Sequence, residues 1–347
     1  MKNRACIKIS LICLLSSLPI QPRSISNSEI NLNKISNQII EILKIYQIPE
    51  DIDKKGIGIS TDSGLISQNY TSLQNKIAGF LEQEKPLKFL LVGFPFKSAN
   101  TEKKVLGQTP DMAERRSLEY LQKCIRAIKA VYPHGVVLVI FCDGIPFCEY
   151  LGISAQTVKL YEQGLQKLVR DIPEIKLITS DTLQNQLALS SPQEICDIID
   201  KYSPSDEEFN NQLKTDATLQ DGYKTLLGRL EIEFDSNQGR EFLKTHGPLS
   251  KLTKALMARE MRMRRFIESQ FDSASFMRLT VHYSKDLVKK FGIMLSPDSF
   301  ITPYHGVLVD DGNGKWFIRL RKDIDLHSYE EVSEAVNDLQ CQYMRRK

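Results

Sequence analysis

A chain of 347 residues, 41% hydrophobic and 26% charged, is long enough to bury a large core and is composed like an ordinary soluble globular protein. Its net charge of +3 is too mild for a nucleic-acid-binding surface, which carries a dense basic stripe. The seven cysteines contain no CxxC pair, and Cys142 and Cys148, the nearest approach to one, have no histidine beside them at zinc-finger spacing; reduced, mostly buried thiols and no metal site are expected.

The chain opens on a basic segment and an apolar stretch, Ile9 to Leu18, that resembles a short signal peptide. The stretch is weakly hydrophobic and no A-x-A site follows it, so the chain is read as cytoplasmic. It is too short to span a bilayer, no other stretch is long enough, and no membrane partner is expected. Residues 21 to 85 are polar and rich in Ser and Asn, with one amphipathic run, ISNQIIEILKIY. Residues 1–84 therefore read as a leader and an N-terminal helical segment.

The core begins at Lys88. KFLLVGF (88–94) and GVVLVIFCDG (135–144) are continuous apolar runs rich in Val, Ile and Leu, as expected of strands covered on both faces. A helical pattern from Pro110 to Tyr132 joins them into a βαβ unit with a right-handed crossover. A second helix, about Ser154 to Arg170, leads to EIKLITSD (174–181), a third parallel strand. Residues 191–271 are mainly helical, with breaks at Pro204 and at Gly247-Pro248. Strand patterns return at FMRLTVHY (276–283), PYHGVLVD (303–310) and KWFIRLR (315–321), the last two flanking DDGNG, a hairpin signal. The expected fold is α/β: a Rossmann-like parallel sheet core, a helical insert at about 191–271 and a C-terminal β extension, closed by a C-terminal helix over 326–347. Ligands of open α/β sheets sit outside the carboxyl ends of the strands, which here are marked by FPFKS and CDG.

Helical phase singles out charges that face inward. After Pro110, the residues Leu118, Leu121, Ile125, Ile128 and Tyr132 form one apolar stripe, and one turn further back the stripe contains Glu114. Either Glu114 points at the sheet or a frayed first turn lets it reach water. Thr109 and Pro110 fit the N-cap and first helical positions, and Asp111 in the first turn suits the helix dipole as well as a site. In SKLTKALMAREMRMRRFIESQF, Arg259 falls within the stripe of Leu252, Ala255, Leu256, Met263, Phe266 and Ile267. A buried guanidinium needs a carboxylate or an anionic ligand, and Glu114 or a substrate phosphate or carboxylate is a candidate partner. Lys251, Lys254, Arg262 and Arg265 lie off that stripe and read as a solvated basic face, as do Lys103 and Lys104 in their loop. Arg278, Thr280 and His282 share one face of their strand, which is either a wet face or the lining of an anion site with an acid/base group. His305 follows Thr-Pro-Tyr at the entry to the next strand, while His134, His246 and His327 look like loop residues. There is no G-x-G-x-x-G, Walker A or G-x-S-x-G motif, so nucleotide cofactors and elbow-type hydrolases are disfavoured. Asp143 stands after its strand as in phosphatases with an aspartate nucleophile, but Ile145 occupies the place of their second carboxylate.

Four segments in order, PFKSANTEKKVLGQTPDMAE, VIFCDGIPFCEYLGI, MRLTVHYS and ITPYHGVLV, resemble the isocyanide (isonitrile) synthases, the family of the pyoverdine-chromophore and spore-wall dityrosine enzymes. The resemblance covers about 85–325. It departs from the family pattern at Ala99, Cys142, Thr280-Val281 and Tyr304, where the family usually has Pro, Ser, Ser-Ile and Trp. None of these changes removes a charged group, and the last bears on pocket shape and substrate choice. The resemblance implies conversion of the α-amine of an amino acid, usually tyrosine or tryptophan, to an isonitrile. Ribulose 5-phosphate supplies the carbon, no cofactor or metal is needed, and the product commonly passes to an iron/2-oxoglutarate-dependent oxygenase. Imine formation, proton transfers, phosphate loss and carbon–carbon cleavage would then need cations for two anions and acid/base groups near the imine. Position and resemblance together nominate Lys97, Arg259 and Arg278 as anion binders, with Lys97 also a proton carrier. His282 and His305 are the acid/base candidates, Asp143 or Glu114 would hold the substrate ammonium or orient a base, and Asp111 joins the substrate-binding group. Two other readings stay open: a phosphosugar lyase or aldolase with Lys97 as Schiff-base amine, and a non-catalytic sugar-phosphate or amino-acid binding protein.

Overall fold

The computed structural model describes residues 32–48, 63–271, 275–281 and 290–347; the apolar stretch Ile9–Leu18 and the candidate base His282 lie outside the described residues. Five strands, β1 (Leu87–Val92), β2 (Val136–Phe141), β3 (Ile175–Ile178), β4 (Met277–Thr280) and β5 (Phe291–Gly292), form one parallel sheet in the order β3-β2-β1-β4-β5. The α/β expectation holds. The strand 276–283 is not part of a C-terminal extension, however: as β4 it lies beside β1 at the centre of the core sheet, with Arg278 opposite Leu90. Alternation along a strand fixes which residues share a face but not which strand lies next to it.

The helices α1 (Leu32–Ile45), α2 (Ser63–Glu82), α3 (Met112–Val131), α4 (Ile145–Cys148) and α5 (Ala155–Leu168) accompany the first strands. α1 contains the amphipathic run and rests against α3, where the Tyr46 and Tyr120 rings lie 4.8 Å apart. α2 occupies sequence expected to be irregular, because its apolar residues are too sparse to mark a helix before its partners are known. α3 begins two residues later than Thr109 and Pro110 suggest. Asp111 is the N-cap: its side chain accepts from Ala113 N at 2.8 Å, and Glu114 accepts from Asp111 N at 2.9 Å. This reciprocal capping box satisfies two otherwise unpaired amides.

β3 ends at Ile178, short of the strand expected to Asp181, and α6 (Ser180–Leu187) follows; α7 (Pro192–Ile199), α8 (Asp206–Thr215), α9 (Ala217–Glu233), α10 (Asn237–His246) and α11 (Leu249–Gln270) then form the expected helical insert. The chain leaves α11 through Phe271, whose ring meets Phe141 and Phe276 edge-on at 5.9 and 5.3 Å. Strand alternation puts Phe276 on the same sheet face as Arg278 and Thr280, so the end of α11 covers the face that carries Arg278.

A second sheet contains β6 (Val307–Asp310), β7 (Trp316–Arg319), β8 (Tyr329–Val336) and β9 (Leu339–Arg346) in the order β7-β6-β9-β8. The β6–β7 hairpin turns at DDGNG as expected. The helix expected over 326–347 is instead the β8–β9 hairpin. Glu330, Glu331, Glu334 and Ala335 are sound helix formers, but propensity is a weak prior. Asn337 and Asp338 take φ of 47° and 66°, the left-handed pair of a two-residue hairpin turn, and Cys341 and Tyr343 alternate inward on β9.

Candidate active site

The loop between β1 and α3 crosses the carboxyl edge of the sheet, and Lys97 in it is completely buried. Its Nζ lies 2.8 Å from Asp111 Oδ2 and 3.0 Å from Glu114 Oε2, and donates to Pro303 O at 2.9 Å and Gly306 O at 3.4 Å. Tyr161 Oη closes the cluster, donating to Glu114 Oε1 at 3.1 Å. Burial by itself would lower the Lys97 pKa, but the Asp111 and Glu114 carboxylates outweigh it and leave it raised. Burial and the Glu114 charge push Asp111 up to about 8 in spite of Lys97. Phase was right that Glu114 faces inward; its partner is Lys97, not Arg259. With four oxygens around it and no exposed surface, the Lys97 ammonium has no face to offer a phosphate. A raised pKa is also the opposite of what a Schiff-base amine needs.

The next residues of the loop build a second network. Glu233, buried at the end of α9, accepts from Ser98 Oγ and from Ala99 N and pairs with the Lys104 ammonium. Lys104 Nζ also lies 2.9 Å from His305 Nδ1, and His305 Nδ1 is 3.8 Å from Glu233 Oε2. Burial works to raise the Glu233 pKa, but Lys104 and His305 outweigh it and hold the carboxyl below its usual range. Lys104, expected to be solvated, is therefore buried and paired, because a loop residue has no periodicity to betray its direction. Lys103 does stay half-exposed, against Asp235.

On and beside the core sheet lie further polar groups that the described residues leave unsatisfied. Asp143 follows β2, and its buried Oδ1 has no hydrogen-bond partner among them. Burial, with Glu260 nearby, pushes its carboxyl up to about 7. Tyr304, buried and edge-on to Phe94 at 5.8 Å, has its pKa raised by burial and by Asp143. Arg278 Nε is likewise buried and without a partner among the described residues, and burial together with Arg264 lowers its pKa. Lys290, just before β5, is brought down to about 8 by burial, Arg264 and Arg278. Glu260, Arg264 and Glu268 recur every four residues on α11 and form one charged stripe whose field reaches Asp143, Arg278 and Lys290. A carboxyl raised toward neutrality after the carboxyl end of β2, and desolvated cations on β4 and just before β5, are groups able to supply an acid/base function and to accept an anion.

Arg259 is buried as expected, but its guanidinium pairs with Asp200 at 2.8 Å and packs on the Tyr150 ring, on the insert side. Arg262, read as solvated, is buried beside it, donating to Pro204 O at 2.7 Å and pairing with Asp200 and Asp206. Both arginines tie α11 to α7 and the start of α8 rather than joining the site. At the carboxyl edge of the sheet the structure thus places Asp143, the Lys97–Asp111–Glu114 cluster and His305 beside Tyr304, while Arg278 lies within β4, opposite Leu90 in the middle of β1. Glu233, Lys290 and Glu260 went unnoticed in the sequence, and Lys104 was read as solvated. Only Glu233 left a signal there: Leu226, Leu230 and Glu233 share one face of α9, the inward-charge pattern that marked Glu114.

Comparison with known proteins follows the same lines. The pyoverdine/dityrosine biosynthesis protein family matches residues 77–332. An L-tryptophan isonitrile synthase of Fischerella ambigua is 27% identical over 256 residues, 71% of this chain and 77% of its own. An L-tyrosine isonitrile synthase of Xenorhabdus nematophila is 28% identical over 259 residues, 72% of this chain and 75% of its own. The crystal structure of the PvcA protein from Pseudomonas aeruginosa superposes with a TM-score of 0.75 at 20% identity, covering 90% of this chain and all of the other, and shares its fold. The chain belongs to the pyoverdine/dityrosine biosynthesis protein family, the isonitrile synthases that its four motifs resemble.

Proposed function

We propose that this protein is an isonitrile synthase that converts the α-amine of tyrosine or tryptophan to an isonitrile, with ribulose 5-phosphate as carbon donor. The observation that carries the reading is that two buried polar groups, Asp143 Oδ1 just past the carboxyl end of β2 and Arg278 Nε on β4, have no hydrogen-bond partner among the described residues in a member of this family. Arg278 and Lys290, with Arg264 adjacent, supply cations for a phosphate or carboxylate, where a desolvated guanidinium binds most strongly. Asp143, poised near neutrality, holds the substrate amine as a carboxylate or returns a proton as an acid once the imine has formed. Tyr304 lies between Asp143 and His305, where a side chain of different size would alter the fit of the aromatic substrate. An isonitrile is a reactive product, which fits hand-over to an iron/2-oxoglutarate-dependent oxygenase.

The test is incubation of the purified protein with ribulose 5-phosphate and a panel of amino acids, followed by mass-spectrometric search for the isonitrile or its tetrazine adduct. Product is expected with tyrosine or tryptophan, and its absence with every aromatic amino acid would sink the reading for those substrates. An aldolase built on Lys97 finds no support in the enclosure of that ammonium; borohydride trapping of a protein–sugar adduct would revive it.

A further inference from the structure

β4 and β5 pair in parallel, with Leu279 beside Phe291 and Thr280 beside Gly292. One step back in that register Arg278 stands beside Lys290, and register partners on neighbouring strands leave the sheet on the same face, about 5 Å apart. This is the face that the end of α11 covers. Two cations side by side repel each other, and here both have lost much of their water: burial lowers both pKa values, and for Lys290 the Arg264 and Arg278 charges add to it. Among the described residues, the charged groups whose fields reach Lys290 are Arg278 on β4 and Glu260, Arg264 and Glu268 on α11. The two glutamates act the other way and do not offset burial and the two guanidiniums. Arg278 Nε is buried and has no hydrogen-bond partner among the described residues, while both residues as a whole are only part-buried, so a small solute can reach them. A permanently charged guanidinium beside an ammonium that holds its proton loosely suits a phosphate monoester: the guanidinium takes two phosphate oxygens and the ammonium a third.

We infer that Arg278 and Lys290 seat the phosphate of a sugar phosphate, and that Lys290 gives its proton to that phosphate as it departs. The identity of the ester, ribulose 5-phosphate, and the loss of its phosphate rest on the proposed isonitrile synthesis. Breaking the carbon–oxygen bond of a phosphate monoester dianion would release the phosphate trianion, a strong base and a poor leaving group. When a proton passes from Lys290 Nζ to the bridging oxygen, the departing group is the hydrogenphosphate dianion and the lysine is left as the neutral amine. The electron pair of the carbon–oxygen bond leaves with the oxygen. The pair of an adjacent carbon–hydrogen bond, whose proton passes to water or a carboxylate, becomes the new carbon–carbon double bond. An ordinary lysine holds its proton too tightly to help near neutrality. Brought down from 10.5 to about 8, Lys290 is still largely protonated at pH 7 and gives the proton up more readily. Arg278 keeps its charge throughout, so the phosphate stays seated after the proton has moved.

Labelling of the full chain with acetic anhydride at a series of pH values, read at Lys290 by peptide mass spectrometry, tests the seat without any turnover. Labelling should rise through a midpoint of about 8, and inorganic phosphate should suppress it. Arg278→Met should move the midpoint towards 10.5 and weaken the suppression. An ordinary lysine profile in the wild-type protein, or labelling indifferent to phosphate, overturns the inference. For the donor role, Lys290→Arg keeps the charge and removes the transferable proton. By calorimetry it should bind ribulose 5-phosphate about as tightly as the wild type, and it should release phosphate at least about 100-fold more slowly. Wild-type rates of phosphate release and isonitrile formation in Lys290→Arg overturn the donor role and leave the proposed function standing. A wild-type protein whose Lys290 is protected by phosphate, but which releases no phosphate and makes no isonitrile, defeats the proposed function and the donor role together and leaves the seat in place.

Discussion

At the residue scale, the most informative side chains are those whose charge conflicts with their burial. Asp143 has its carboxyl raised from 3.8 to about 7 by burial first and by Glu260 second. Between those values the folded protein keeps a proton that the unfolded chain has released, so this contribution to stability is complete below 3.8 and is lost as pH rises through about 7. Asp143→Asn should therefore raise the urea midpoint at pH 8, leave it unchanged below pH 4, and abolish isonitrile formation. Equal midpoints at pH 8 would show that the carboxylate is not held as a strained buried charge. Lys97 makes the opposite case. Lys97→Met leaves Asp111 and Glu114 buried together without their cation and should cost about 3–5 kcal/mol in equilibrium unfolding, as removal of one partner of a buried pair does. A variant that lost activity but kept its unfolding midpoint would return Lys97 to the chemistry.

At the element scale, the site is made by the way loops leave the strands. Gly144 opens α4 directly after Asp143, with backbone angles any residue adopts, so flexibility is not why it is glycine. A Cβ there would collide with the Pro95 carbonyl oxygen and the Val158 side chain. The collision is with backbone, so Gly144→Ala should separate the β1 and β2 exit loops and displace Asp143. We expect a loss of turnover of at least about 100-fold, the cost of a misplacement near 1 Å, with far-UV circular dichroism unchanged. Wild-type turnover in the alanine variant would mean the loops accommodate the methyl without moving Asp143. Element type and direction were legible wherever periodicity is strong: β1, β2, α3, α5 and the β6–β7 turn all stand where apolar spacing puts them. α3 started later than expected because its capping box, Asp111 with Glu114, competes with the Thr109-Pro110 signal and satisfies more amides.

At the scale of the whole molecule, the C-terminal sheet is the floor of the buried cluster. Cys341 on β9 is buried, and its thiol pKa is pushed up to about 12 by burial and by the Asp111 and Glu114 charges, so the β8–β9 hairpin closes over the Lys97 cluster from outside. Truncation after Asp325 removes that cover and the buried Tyr343 and Met344. The truncated chain should melt at least several degrees lower, and an unchanged melting temperature would show the hairpin to be an appendage. Among the described residues no helix is long and apolar enough to cross a membrane.

The sequence by itself determined the elements and the suspects. Apolar runs, helical phase and the four motifs marked the parallel core, the insert and the family, with Glu114 and Arg259 as charges out of keeping with their helix faces and Lys97, Asp143 and Arg278 as candidates by position and resemblance. Those are local properties, set by spacings of two to four residues along the chain. Tertiary structure alone decided the partners. Glu114 could not be assigned to Lys97 rather than Arg259, nor Lys104 to Glu233 and His305, because those pairs join segments 129 to 201 residues apart or close across a loop without periodicity. The same holds for β4, whose place beside β1 depends on a helical insert bringing the chain back to the sheet centre. A charge shows in the sequence that it needs a partner; which partner it meets is settled by packing, where an unpaired buried charge is too costly to leave.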